Sequence, residues 1–186
     1  AQEFDAKAEL AEVKAMLKVA NARECDWALD GPESMREPDV YTFEYRPAWS
    51  SADDPPQSFR LYRFFCYQGA YNTGHVYYGG TDDELKQLYF ATPTYQATYE
   101  VPETLDGKVT DITMTGITAQ SALVNSEFDP ATLSISDAAY WRGIGDASSH
   151  GVWVFDDGRF ALKTFDLDPS YDGEVNPTRL VDYPIE

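Results

Sequence analysis

The chain has 186 residues, 43% of them hydrophobic, enough to build a core as a single domain over 1–186. Its 14 Lys+Arg against 32 Asp+Glu leave a formal net charge of −18. That charge excludes nucleic acid as a main partner and disfavours an anionic membrane surface, because both require a cationic protein face. No run of apolar residues is long enough for a membrane span.

The first element is a helix over FDAKAELAEVKAMLKVA, residues 4–20, within an N-terminal helical segment of residues 1–22. Leu10, Val13, Leu17 and Ala20 recur at helical spacing, Lys7, Lys14 and Lys18 lie mostly off that stripe, and Asn21 is a suitable stop. After Cys25 the pattern turns to β, so that 23–186 reads as a β-rich body. VYTFEYR (40–46) alternates rings with other residues, and SFRLYRFFCY (58–67) carries rings on both faces, as suits a strand covered on two sides. The intervening WSSADDPPQS (49–58) reads as an exposed loop. HVYY (75–78), LKQLYFA (85–91), TYQATYE (94–100) and KVTDITMTG (108–116) follow as strands separated by Gly, Pro and Asp. In GVWVFDDGRFALKTF (151–165), Asp157-Gly158 between two β-prone runs predicts a hairpin with a positive-φ turn. The tail is mostly loop, with TRLVDY (178–183) as a last strand. The fold class is therefore α+β: one N-terminal helix packed on a mainly antiparallel sheet, either a sandwich or a partly closed barrel.

Two cysteines, Cys25 and Cys66, offer no CxxC pair and no zinc set. The chain starts AQEF with no initiator Met, as the product side of a signal-peptidase cut would. In an exported domain the two cysteines pair with each other, a bridge that stabilises by about 4 kcal/mol in the chain-entropy model. Two separate buried thiols are the alternative.

Nucleophilic catalysis finds little footing. Asp146, Ser148, Ser149 and His150 crowd one short loop, where neighbours rarely reach triad geometry, and they read as a polar turn before a strand. Cys66 with His75 as base would need a free thiolate that a bridge removes. A carboxylate pair could hydrolyse a carbohydrate, though with 32 acids suitable pairs arise by chance. Asp166, Asp168 and Asp172 in DLDPSYDGE (166–174) alternate as calcium ligands do, but the Gly and Glu of an EF-hand are out of place, so the expectation is a looser calcium loop. Recognition is better served. Tyr71, Asn72, His75, Trp141 and Trp153 combine rings and polar tips, in a stretch whose rings are expected mainly in the core and whose Asn72–His75 tip is expected at the surface.

CYQGAYN (66–72) and RGIGDASSHGVWVFDDGRFAL (142–162) resemble the exported bacterial domain-of-unknown-function family numbered 1176. Its members show a cysteine before a Gly-Ala-Tyr-Asn-like turn, then an Arg-Gly-Leu-Gly-Asp-Cys stretch and a Trp-bearing hairpin. The resemblance implies export to the periplasm, and it carries no assigned activity and no catalytic residues. Ala147 stands where the family tends to have Cys, and Tyr171 stands near the place of its partner. A hairpin turning at Asp157-Gly158 would bring these two positions to one end of the ladder. The resulting expectation is a periplasmic, non-enzymatic recognition domain for a basic envelope protein or a glycan. A carbohydrate hydrolase and a calcium-binding domain are the alternatives.

Overall fold

The computed structural model describes residues 5–82, 84–101 and 107–184. Helix α1 (Ala6–Ala20) is capped by Asp5, whose carboxylate accepts from the Lys7 and Ala8 amides, and it ends at Asn21. Phe4, the first residue of the expected helix, lies outside the described residues. Two short helices follow, α2 (Asp26–Asp30) and α3 (Glu33–Arg36), where the sequence pattern had turned directly to β. At five and four residues they are too short to show a helical period.

The rest is strand: β1 (Asp39–Tyr45), β2 (Gln57–Gln68), β3 (Thr73–Thr81), β4 (Glu84–Gln87), β5 (Phe90–Tyr99), β6 (Val109–Gln120), β7 (Ala122–Val124), β8 (Glu127–Asp129), β9 (Ser134–Tyr140), β10 (Ser148–Asp156), β11 (Arg159–Asp168) and β12 (Thr178–Asp182). The first sheet runs β1-β2-β3-β4, with β7 also on β3, and the second runs β12-β11-β10-β9-β8. Strands β5 and β6 form a two-stranded ribbon. Every pairing between the described strands is antiparallel. The fold is an α+β sandwich and not a closed barrel. The expected 85–91 strand is broken, since β4 ends at Gln87 and β5 begins at Phe90.

Strand β2 explains the layering. Its odd positions Phe59 and Leu61 enter a core with Tyr77, Phe90, Ile135, Trp153 and Phe160 between the sheets. Its even positions Tyr62, Phe64 and Cys66 pack with Val13 and Leu17 of α1, Val76 and Tyr78. Both faces of β2 are thus covered, and a period of two delivers alternate rings to different cores. The Cys25–Cys66 disulfide ties the start of α2 to β2, and both residues are fully buried. Helix α1 is held by Glu9, which accepts from Arg60 Nε at 2.5 Å, Arg60 Nη2 at 2.6 Å and the Tyr62 hydroxyl. The expected hairpin is β10–β11, with Asp157 at φ +48° and Gly158 at φ +85°, the backbone of a tight turn suited to strand twist.

Candidate functional site

Three connections meet at one end of the sandwich: Gly69–Asn72 between β2 and β3, Trp141–Ala147 between β9 and β10, and Pro169–Pro177 between β11 and β12. They are fastened from beneath by two asparagines. The Asn72 amide donates to Tyr140 O at 2.6 Å and accepts from Tyr140 N at 3.0 Å, imitating a strand pair across the two sheets. Asn125, at φ +46°, donates to Ala138 O at 2.8 Å and to Asn72 Oδ1 at 3.0 Å, and accepts from Thr73 N at 2.8 Å. Asn tolerates this left-handed backbone, and its amide satisfies buried partners on both sides.

Above the asparagines, Arg142 and Asp146 form a two-pronged ion pair, with Nε to Oδ1 at 2.7 Å and Nη2 to Oδ2. Arg142 also donates to Tyr171 O at 2.9 Å, and Asp146 accepts from Gly173 N at 2.9 Å. One pair therefore locks its own loop to the 169–177 loop. Asp146 is 1% exposed, and the Arg142 guanidinium together with these amides holds its carboxyl well below the usual carboxylate range. Between the two charged residues, Gly143 leaves space that a side chain would fill, because a Cβ there would stand 2.8 Å from the Tyr71 ring. Gly145 sits at φ +72°, and its amide donates to Arg142 O. The Arg-Gly-Ile-Gly-Asp stretch is thus a clamp: the ends pair and the glycines fit.

The clamp presents rings. Tyr71 is 57% exposed and lies against Gly143, and Trp141 is 37% exposed with its ring 6.4 Å from that of Tyr171. The Arg142 guanidinium carbon stands 5.1 Å from the Tyr171 ring centre, within cation–π range. Ile144 and Val175 are exposed on the same loops. The sequence reading named Tyr71 and Trp141 as binding residues, read Asp146 only as part of a polar turn before a strand, and gave Arg142, Tyr171 and Asn125 no role in a site. An Arg and an Asp four apart around two glycines was the legible signal.

Other expected site residues lie elsewhere. Trp153 is fully buried between the sheets and donates from Nε1 to Ala91 O at 2.8 Å, so it is a core residue and not part of a recognition surface. His75 is also buried, which corrects the expectation of an exposed Asn72–His75 tip: only Tyr71 projects, and Asn72 is spent on the loop tie. The His75 ring contacts Ser126 Oγ at 3.2 Å, which also meets the Tyr77 hydroxyl at 2.8 Å. Burial first, and then the Arg63 charge, hold its pKa down to about 4. Ser148 and His150 stand in β10 opposite Asp168 and Asp166, ordinary ladder positions.

Asp166 is paired with Arg179, Asp168 accepts from the Ser170 hydroxyl at 2.7 Å and Asn176 N at 2.8 Å, and Asp172 accepts from Glu174 N at 2.9 Å. Among the described residues no group of three or more His, Cys, Asp or Glu is arranged to hold a metal ion. A cleft of about 450 Å³ opens between the start of β6 and the 167–178 segment, with Lys108, Asp111, Asp172, Glu174 and Asn176 in its wall. Its lining is polar and acidic, and no aromatic ring contributes among the described residues. No helix among the described residues is long and apolar enough to cross a membrane.

The molecule is a disulfide-tied antiparallel sandwich with a clamped three-loop end. The family described as a protein of unknown function, DUF1176, matches residues 56–175, and the chain belongs to that family. Both signature stretches fall within or across this match: the 66–72 turn supplies Tyr71 and Asn72, and 142–162 supplies the clamp and the hairpin. No curated protein and no solved structure matches the chain.

Proposed function

We infer that the protein is an exported, non-enzymatic recognition domain of the periplasm that binds a protein or a glycan of the cell envelope through its three-loop end. The observation that carries this reading is the convergence of exposed Tyr71 and Trp141, with half-buried Tyr171 beside Trp141, on the Arg142–Asp146 clamp. Rings held in place by an ion pair on a buried carboxylate contribute contact area with little entropy left to lose on binding. The buried Cys25–Cys66 bridge supports an oxidising compartment, and the shared use of β2 and β3 by both cores supports reading the chain as one domain. The net charge of −18 favours a basic protein among the candidate partners.

Calorimetric titration with a basic lysozyme and with soluble peptidoglycan fragments, at low and high salt, tests the reading. The expected result is binding to one of them, weakened about tenfold or more in Y71A and W141A. Salt-sensitive binding identifies the protein arm, and salt-insensitive binding the glycan arm. Absence of binding to both, or ring variants that bind as well as the native protein, would contradict it.

A further inference from the structure

The β5–β6 ribbon is covered unevenly. Residues directly opposite in an antiparallel pair share a face, so Pro93 with Ile117, Tyr95 with Met114 and Ala97 with Ile112 form one apolar side of the ribbon. The β5 half of that side is seated: Pro93 is buried, Ala91 and Tyr95 pack on the inter-sheet core, and the Tyr99 hydroxyl donates to Pro169 O at 3.0 Å. The β6 half is seated only at Ile112, which packs on the inter-sheet core, and overhangs beyond it: Met114 is 40% exposed and Ile117 49% exposed, although both point the same way as their seated partners. Among the described residues, β6 pairs with β5 alone, which leaves its outer edge of backbone amides and carbonyls without a strand partner.

Edges of this kind are normally blunted by charge, proline or bulges. Within β6 the only charged residue is Asp111, and there is no proline. Two bulges are present: Thr98 faces Asp111 while Tyr99 faces Val109, and Thr94 faces Gly116 while Tyr95 faces Met114, which leaves Thr110 and Thr115 as extra residues. These break a long flat edge into Asp111–Met114 and Gly116–Gln120, short enough to resist sheet stacking and long enough for a short added strand. Strand β5, by contrast, carries Pro93, which has no amide to offer.

The geometry points to strand addition on β6 by an extended, basic segment of another protein. The backbone of the incoming segment would pair with the β6 edge, and its alternate apolar side chains would cover Met114 and Ile117. Charge decides the occupant. The start of β6 borders the cleft walled by Asp111, Asp172 and Glu174 against the single Lys108, so basic side chains at that end of the segment meet acids. A second copy of this chain would bring two molecules of net charge −18 together along bulged edges. The edge at Met114 and Ile117 lies outside the ring-bearing loops, and only the basic end of the segment meets one of them, at Asp172 and Glu174; M114K/I117K leaves Tyr71 and Trp141 untouched, so either reading can fail without the other.

The probe is a fluorescent peptide of about ten residues alternating arginine and valine, compared with the same peptide N-methylated at alternate amides. Anisotropy is recorded with the native chain and with M114K/I117K, and amide hydrogen exchange is followed on residues 111–120. The expected result is saturable binding, protection of the 111–120 amides, and a loss of affinity of about tenfold or more both on N-methylation and in M114K/I117K. An M114E/I117E variant adds acids where M114K/I117K adds bases and likewise removes the apolar cover, and it also weakens binding. Equal binding of the N-methylated peptide, or no protection of 111–120, would overturn strand addition. A dimer in sedimentation that M114K/I117K dissolves would assign the edge to a second copy and overturn the basic occupant.

Discussion

Asp137 illustrates what a single residue can hide. It stands in β9 at an inward position and accepts from Gly151 N at 2.7 Å, and burial pushes its pKa up to about 7. Such a carboxyl folds protonated, so its contribution to stability is lost as pH rises from about 4 through 7. His75 runs the other way: held down to about 4 from 6.5, it costs stability as pH falls through that window. The two oppose each other in mildly acidic solution. The variant D137N is therefore expected to gain stability over the native chain as pH rises from about 4 to 7, with the gap level above 7. Thermal melts across this range check it, and a gap that stays constant with pH would contradict it. The same residue explains a failure of sequence reading. SISDAAY places a carboxylate where alternation demands an apolar side chain, so β9 does not look like a strand. Tyr71 and Trp141 were named as candidate binding rings, Tyr71 in a stretch whose rings were expected mainly in the core. Trp153 was not separable from them, since composition says nothing of which face a ring occupies.

At the scale of elements, α1 and the β10–β11 hairpin were readable because each has a repeated signal, a helical stripe in one and a two-residue turn in the other. The short pieces α2, α3, β7 and β8 were not, because three to five residues hold too few repeats to establish a period. That α1 packs on the sheet was expected, but the ion pair that fastens it was not: Glu9 lies far from Arg60 in sequence, and only the fold joins them. The two side chains are 12% and 5% exposed, so losing the carboxylate strands a buried cation. Asp82, 2.8 Å from Arg60, remains as a second partner and moderates the loss. E9A is expected to destabilise the protein by about 2–3 kcal/mol, less than for a pair with no reserve partner. Chemical denaturation measures this, and a change below about 0.5 kcal/mol would mean that the helix is held by its apolar face alone.

For the whole molecule, the two cores, the disulfide and the clamp form one chain of consequence. Rings on β2 fill both faces of the first sheet, the bridge at Cys66 fixes the end of that strand, and the loop that follows it carries Tyr71 to the clamp. The stiffness of the three-loop end thus comes from packing several layers below it. The fold class and the presence of the bridge could be anticipated from sequence. The gathering of Tyr71, Trp141 and Tyr171 could not, because they come from three connections far apart along the chain. Amide resonances of isotope-labelled protein, followed during titration with the basic lysozyme and the peptidoglycan fragments, test that gathering directly. The account predicts shifts that cluster at Tyr71, Trp141–Ile144 and Tyr171–Val175 together. A ligand that shifts none of these three loops while perturbing another face would contradict it.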